Sequence, residues 1–161
     1  MRKRLLLLLI TFLTLMNVEA VERTKLNFNG GWLLKVGDFK GTQNGNYLGV
    51  ETPNYNDKGW KHITLPRAFN EKEAFKVSIE HLSDTIVWYR KHFNISEVGD
   101  RKYFIEFEGV RFGADIWLNG QKVGYTENGV MASGFDLTPY IIKGENVIAV
   151  RVDNSWTYHE R

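Results

Sequence analysis

The chain has 161 residues, no cysteine and a formal net charge of +2 at pH 7. The absence of cysteine excludes disulfide bonds, thiolate metal sites and cysteine nucleophiles. The length is enough for one domain with its own core, but not for two domains or for a (β/α)8 barrel, which takes roughly 250 residues.

The first twenty residues have the composition of a secretory signal peptide. A basic start, Met1 to Arg4, is followed by an apolar run from Leu5 to Leu15 and by small residues in Val18 to Ala20. The run is too short to span a bilayer. We therefore expect residues 1–20 to be removed and the protein to be exported to the periplasm or the extracellular space. The alternative is a buried N-terminal helix.

Cleavage would make the chain nearly neutral. It removes Arg2, Lys3 and Arg4 together with one acid, Glu19, and leaves 18 basic and 18 acidic residues. A balanced charge gives no electrostatic reason to bind nucleic acid or an anionic membrane. We expect neither as a partner of the mature chain, residues 21–161.

The mature chain begins with an apolar segment and a long polar loop. From Leu26 to Asp38, the residues expected to anchor the core are Phe28, Trp32, Leu34 and Val36. Gly37 to Asn56 is rich in glycine, asparagine, aspartate and threonine, which is typical of loops. We interpret this loop as a solvated connector.

Two shorter elements come next. Asn70 to Phe75 is expected to form at most one helical turn, with Asn70 as its cap. Ile86 to Ile95 is predicted to be a strand, because its residues alternate in character. The alternating residues are Val87, Tyr89, Phe93 and Ile95 on one side, opposed mainly by Trp88, Arg90 and His92.

The stretch from Lys102 to Asn154 contains three segments with a period of two, which is the pattern of half-buried strands. The residues predicted to face the core are Tyr103, Ile105 and Phe107, then Ala114, Ile116 and Leu118, then Ile148, Val150 and Val152. Polar residues or large rings occupy most of the alternate positions, for example Glu106 and Glu108 in the first segment. The pattern indicates antiparallel β-structure, most simply half of a sandwich.

Turn residues separate these segments. Asn119-Gly120 supplies the two positive-φ residues of a type I′ hairpin. Gly144 to Asn146 marks the entry to the last strand. Phe135 to Pro139 is predicted to be a short segment away from the sheet centre, since it ends at a proline.

These motifs resemble the N-terminal domain of glycoside hydrolase family 2, which holds β-galactosidases, β-glucuronidases and β-mannosidases. The resembling runs are F-E-G-V, A-D-I-W-L-N-G-Q-K-V-G and the stretch from Phe135 to Asn154, preceded by Trp60, Leu65-Pro66 and Trp88 to Lys91. The likeness covers roughly Leu26 to Asn154.

The resemblance implies an all-β fold, an antiparallel jelly-roll β-sandwich similar to galactose-binding domains. The family's jelly roll has at least one more strand after the segment that matches Asn146 to Asn154. We therefore expect residues 21–161 to be truncated at the C-terminal end and to lack the last strand or strands. An unpaired sheet edge beside the last strand present would follow.

No catalytic residue is predicted in this chain. Retaining glycosidases need two carboxyl groups about 5 Å apart, but the resemblance places both on a later (β/α)8 barrel. Glu106 and Glu108 are expected to form a solvated strand face. The histidines are His62, His81, His92 and His159, and they are scattered, so no metal or cofactor is predicted.

Three residues are weak candidates for binding substrate: Asp84, Asp153 and Trp156. In the resembling β-galactosidases an amide residue near the position of Asp84 reaches into the sugar site, and a second such position lies beyond Asn154. Asp153 ends the last strand, and Trp156 stands outside it, where a ring could stack on a sugar. The other tryptophans, at positions 32, 60, 88 and 117, are expected in the core or in an interface between domains.

The resemblance predicts an accessory, sugar-binding domain of an exported glycoside hydrolase that acts on terminal β-linked sugars. Its expected partners are carbohydrate and the downstream catalytic barrel and immunoglobulin-like domain of the full-length enzyme. Two alternatives stay open: a stand-alone carbohydrate-binding module, and a structural sandwich of a surface protein.

Overall fold

The structure is a computed structural model, and it describes residues 23–37, 47–70, 85–127 and 129–154. The strands in these ranges are β1 Trp32–Val36, β2 Lys61–Ile63, β3 Ile86–Ile95, β4 Phe104–Phe107, β5 Gly113–Leu118, β6 Gln121–Thr126, β7 Ser133–Asp136 and β8 Gly144–Asp153. The predicted signal peptide and all but the first residue of the predicted helical turn lie outside the described residues. No helix in the described ranges is long and apolar enough to cross a membrane.

All strand pairs are antiparallel, and the strands form two sheets. The larger sheet has the order β2-β1-β3-β8-β5-β6, and the smaller contains β4 and β7. Buried residues of both sheets belong to one apolar cluster. This arrangement confirms the prediction of an all-β antiparallel sandwich, and β3 has the bounds predicted from its alternation.

The inner face of the large sheet carries the predicted apolar residues. Val87 of β3, Val152 of β8 and Ala114 of β5 lie in one row across the three central strands. Ile116 and Leu118 face the same side of β5, and neither is exposed to solvent. Alternate side chains of a strand point to one side, so the period of two correctly predicts this face.

The small sheet packs against this inner face. Ile105 of β4 and Leu137, which follows β7, are buried in the same cluster as the large sheet's residues. Gly124 of β6 approaches Phe135 of β7 so closely that a Cβ atom at position 124 would lie 2.5 Å from the phenyl ring. Glycine therefore permits the close contact between the two sheets.

The hairpin between β5 and β6 has the predicted turn. Asn119 and Gly120 have φ angles of 54° and 82°, and both central residues of a type I′ turn need such positive values. Leu118 and Gln121 pair on either side of the turn. The prediction of a tight Asn-Gly hairpin is confirmed.

Asn146 of β8 is fully buried and uses both ends of its side-chain amide. Its oxygen accepts hydrogen bonds from the backbone N–H of Ile142 and from the side-chain amide of Asn119, each at 2.9 Å. Its nitrogen donates to the carbonyls of Ile142 and Gly144 at 2.8 and 3.0 Å. The Asn119 oxygen in turn accepts from the N–H of Val147. We call these bonds the Asn146 network; it fastens the β5–β6 hairpin to the start of β8.

Part of the outer face of the large sheet is covered by the loop from Tyr47 to Trp60, which we call the covering loop. Val50 in this loop is completely buried, and it belongs to a second apolar cluster with Trp88 and Ala149. The interpretation of this stretch as a solvated connector is therefore wrong for its described part. Large apolar side chains on the outer face of β3 need cover from water, and the loop supplies it.

Strand β8 lies in the middle of the large sheet. It pairs with β3 over all ten residues and with β5 from Gly113 to Leu118. The expectation of an unpaired edge beside the last strand is therefore wrong, because both sides of β8 are occupied. The two outer strands of this sheet are β2 and β6. Whether a further strand follows Asn154 stays a prediction.

Candidate functional site

Three strand ends meet at one end of the large sheet. Asp153 at the end of β8 pairs with Ile86 at the start of β3 and with Gly113 at the start of β5. The backbone N–H of Asn154 donates to the carbonyl of Thr85 at 3.0 Å. We call this region the Asp153 end.

Of the three predicted substrate-binding residues, only Asp153 belongs to the described part of the chain, where its side chain is half-buried. Asp84 precedes Thr85 and Trp156 follows Asn154 by two positions, but both lie outside the described residues. Their roles therefore stay predictions. Thr85 and Asn154 themselves are buried and lie side by side.

Arg151 links two carboxylates at the Asp153 end. Its guanidinium donates to Asp153 at 3.1 Å and lies 3.7 Å from Asp115, which also pairs with Lys122 at 2.8 Å. The side chains of Arg151, Asp115 and Asp153 are about one-fifth exposed. The ion pair between Arg151 and Asp115 links β8 to β5, and the exposed edge of this cluster offers both donors and acceptors to a polar ligand.

The tryptophans predicted to lie in the core or an interface are largely buried. Trp32, Trp60 and Trp88 are 2%, 8% and 3% exposed. Trp117 is half-buried, and its ring lies 5.5 Å from that of Trp88 on the outer face. The Lys122 ammonium lies 5.9 Å from the centre of the Trp117 ring. The prediction is confirmed for the first three, and Trp117 packs against the second apolar cluster.

Glu106 and Glu108 lie on the exposed side of the small sheet. Glu106 pairs with Arg23 at 2.6 Å and with Lys25 at 3.8 Å, and its side chain is 47% exposed. Glu108 is also exposed. The prediction that they form a solvated face is confirmed. In the described ranges, no group of three or more His, Asp and Glu side chains could hold a metal ion.

A buried arginine joins the covering loop to β3, and no sequence pattern predicts it. The Arg90 side chain has no solvent exposure, and its Nε donates to Asp57 at 2.8 Å. Its Nη1 donates to the carbonyl of Val50 and, at 3.0 Å, to that of Thr52. The only clue in the sequence is that Arg90 lies on the same face of the strand as Trp88. A large apolar ring on that face suggests that something covers the face and therefore also Arg90.

His92 extends this cluster to the surface. Its Nε2 lies 2.8 Å from Asp57, and its Nδ1 lies 2.9 Å from Glu145. Burial lowers the pKa of His92, but the hydrogen bonds to Asp57 and Glu145 outweigh burial and raise it above the ordinary value of 6.5. Burial raises the pKa of Asp57, but bonds from His92 and Arg90 hold it below 3.8. We call Asp57, Arg90, His92 and Glu145 the Asp57 clamp.

The clamp should make stability depend on pH. When folding raises the pKa of a histidine, the charged imidazole stabilises the folded state. For His92 this stabilisation is fully present below pH 6.5 and is lost as the pH rises through the pKa of the folded state. The difference in free energy of unfolding between the unsubstituted protein and His92→Gln should therefore be largest in mild acid and vanish in mild alkali. We expect a maximum of about 1 kcal/mol, since the pair is partly solvated.

Urea unfolding at a series of pH values measures this difference. His62→Gln is the matched control, because His62 is exposed on β2 and pairs with no carboxylate among the described residues. If His62→Gln shows the same pH dependence as His92→Gln, the effect does not come from the clamp. A flat profile for His92→Gln would show that the clamp does not hold a charged imidazole.

The family described as glycosyl hydrolases family 2, sugar binding domain, matches residues 46–160. Among characterised relatives, a β-glucuronidase of Formosa agariphila is 38% identical over 153 residues, which cover 89% of this chain and 15% of that protein. A β-galactosidase of Bacteroides ovatus is 32% identical over 141 residues, covering 83% of this chain and 16% of that protein.

Solved structures of the same family are also similar to this chain. A β-glucuronidase from glycoside hydrolase family 2 superposes with a TM-score of 0.65 and 35% identity, over 84% of this chain and 15% of that one. A family 2 member from Bacteroides cellulosilyticus superposes with a TM-score of 0.67 and 30% identity, over 79% and 17%. The chain thus spans about 15% of the length of the two curated relatives above.

Proposed function

Because the chain belongs to glycoside hydrolase family 2 and contains its sugar-binding domain, we propose that it serves as the N-terminal accessory domain of an exported enzyme that removes terminal β-linked sugars. The enzyme would be of the β-galactosidase or β-glucuronidase type. In this role the domain packs on a (β/α)8 barrel and an immunoglobulin-like domain and forms part of the wall around the sugar.

The observation that supports this proposal most is the meeting of strand ends at the Asp153 end. The family resemblance implies that two positions of such a domain reach toward the sugar, one just before β3 and one beyond β8. Thr85 and Asn154 border those positions, and they share a backbone hydrogen bond of 3.0 Å. Two segments that start from neighbouring points would approach a ligand from the same side.

The chemistry itself is assigned to the barrel. A retaining glycosidase needs one carboxyl group as an acid and a second as a nucleophile on opposite sides of the scissile bond. Glu106 and Glu108 face solvent, and Glu106 is already paired with Arg23. The contribution of this domain would be to position the substrate and exclude water, which lowers the barrier by fixing the reacting groups in place.

Two measurements test the proposal. The purified chain alone should release no nitrophenol above background from nitrophenyl β-galactoside or β-glucuronide. The nucleotide sequence beyond the codon for Arg161 should encode a barrel in the same frame, and the longer polypeptide should hydrolyse one of the two substrates.

Turnover by the purified chain alone would contradict the assignment of chemistry to the barrel. A natural stop codon with no barrel gene in the vicinity would contradict the accessory role. In that case, sugar binding by the isolated chain would favour the stand-alone carbohydrate-binding module, and its absence would favour a structural sandwich.

A further inference from the structure

A short apolar run lies exposed in the loop between β6 and β7. Val130 and Met131 are 91% and 61% exposed, and Ala132, which follows them, is also exposed. We call these three residues the apolar tip. The other large apolar side chains that face solvent in the described ranges, such as Leu48 and Ile142, have no exposed large apolar neighbour in sequence. Single exposed apolar residues are normal, but a run of three indicates a function.

The loop that carries the apolar tip lies at the Asp153 end of the sandwich. It begins after Thr126, which pairs with Ala114, and Ala114 pairs in turn with Val152. The residue before Ala114 is Gly113, the partner of Asp153. The apolar tip therefore lies where β8 ends, and the β5–β6 hairpin lies at the opposite end of the sheet.

The loop between β4 and β5 supports the loop that carries the tip. A Cβ atom at Gly129 would lie 3.1 Å from the Cα atom of Arg111 and from the backbone nitrogen of Phe112. Glycine therefore lets the two backbones touch. Phe112 has a φ angle of 61°, which is uncommon for a bulky residue, and the Arg111 guanidinium lies 5.0 Å from the centre of its ring. The residue just before the apolar tip thus rests on a neighbouring loop.

The chemistry of the apolar tip suits a protein surface better than a sugar. Its three side chains carry no hydrogen-bond donor and no aromatic ring, so they offer a saccharide neither bonds to its hydroxyls nor a face for stacking. A methionine side chain is flexible and adapts to irregular apolar surfaces, and methionine is enriched in the cores of protein interfaces. The tip therefore fits an apolar patch on folded polypeptide.

A longer polypeptide of this family has surface that could cover the tip. The chain spans only 15% and 16% of the length of the two curated relatives above. Asn154 is bonded to Thr85 at the same end of the sandwich as the tip. The two positions expected to reach toward the sugar border these residues. In the proposed accessory role, that end faces the barrel, and so does the apolar tip.

We propose that the apolar tip docks against an apolar surface of the catalytic barrel. This inference rests on the proposed accessory role and adds to it the residues through which the domain is held. Val130 and Met131 are buried by the contact, which removes their apolar surface from water. The contact fixes the domain with its Asp153 end toward the sugar.

Thiol labelling tests the contact, because the chain has no cysteine of its own. In the chain alone, iodoacetamide should label Met131→Cys about as fast as Ile142→Cys, a second exposed apolar position, at the opposite end of the sandwich. In the longer polypeptide, labelling of Met131→Cys should be at least roughly tenfold slower, while that of Ile142→Cys should change by less than about twofold. Mass spectrometry of the digested protein identifies which cysteine is labelled.

A double substitution tests whether the contact holds the domain on the barrel. Val130→Thr with Met131→Gln keeps side chains of similar size but adds polar atoms. The urea midpoint of the chain alone should stay unchanged, since both residues are exposed. The longer enzyme should lose activity on heating roughly threefold faster or more, because the contact that delays unfolding is weakened. Leu48→Gln, an exposed position on the covering loop, should change neither property.

Three results overturn the inference: equal labelling of Met131→Cys in the two proteins, slow labelling in the chain alone, or a double variant as resistant to heat as the unsubstituted enzyme. Slow labelling in the chain alone would mean that this chain covers its own tip. A longer enzyme that is active but leaves Met131→Cys accessible overturns only this inference and not the accessory role. A gene that encodes no barrel overturns both.

Discussion

Replacing Arg90 with methionine is expected to lower the free energy of unfolding by about 3 to 5 kcal/mol, because it removes one partner of a buried ion pair. Methionine would fill similar space, but the Asp57 carboxylate and the carbonyls of Val50 and Thr52 would lose their donor. The covering loop would then be held by its apolar contacts and by the bond between Asp57 and His92. Urea unfolding followed by tryptophan fluorescence at neutral pH measures the loss.

Arg101→Met is the matched control, because Arg101 is exposed and should tolerate the same change with little effect. A double variant separates pairing from packing. If the loss comes from the stranded carboxylate, Arg90→Met with Asp57→Leu should recover part of it, since removing both charges is often nearly neutral. A loss for Arg90→Met no larger than that for Arg101→Met would show that the buried pair contributes nothing.

The Asn146→Ala substitution is expected to cost about 3 kcal/mol, because it removes the four hydrogen bonds of a fully buried side chain, each worth about 0.5 to 1.5 kcal/mol net. The partners left are the N–H and carbonyl of Ile142, the carbonyl of Gly144 and the amide of Asn119. The loop before β8 would lose its anchor, and the β5–β6 hairpin would keep only the bonds of Asn119 to Val147 and Tyr140. Thermal and urea unfolding both report this loss.

Asn94→Ala provides the comparison, since Asn94 lies exposed on β3 and should cost little. Asn146→Asp tests the mechanism further, because it keeps an acceptor but turns the donor that faces two carbonyls into a second oxygen. It should therefore destabilise the protein at least as much as a single lost hydrogen bond does. If Asn146→Ala behaves like Asn94→Ala, the network does not hold the hairpin.

The inner face of the sandwich was predictable from sequence because it depends on one rule. Residues such as Ile116, Leu118 and Val152 alternate with polar or less buried neighbours, and this alternation determines which side of the strand is buried. The Asn119-Gly120 hairpin was predictable for a similar reason, since few residues accept two positive φ angles in succession.

The outer face was not predictable in the same way. Trp88 and Arg90 point away from the main core, and whether such a face is covered depends on where a distant loop folds back. The Asp57 clamp joins residues that lie far apart in the sequence, and no local pattern marks Asp57 as the partner of Arg90. The polar composition of the loop hid its fully buried anchor, Val50.

The candidate site was predictable only in outline. Asp153 was placed correctly at the end of a strand. The position of Arg151 between Asp153 and Asp115 was not predictable, because it depends on the pairing of β8 with β5. Asp84 and Trp156 remain predictions.

The central place of β8 has a consequence for the order in which this domain can assemble during synthesis. β1 pairs directly with β3, and β5 with β6, but these pairs touch each other in the large sheet only through β8, which the ribosome makes after all four of these strands. Closing that gap needs contacts between residues far apart in the chain, which are slow to form. Until Asp153 emerges, the nascent polypeptide therefore holds two separate ribbons with open edges, a state in which a chaperone would find exposed strands to bind.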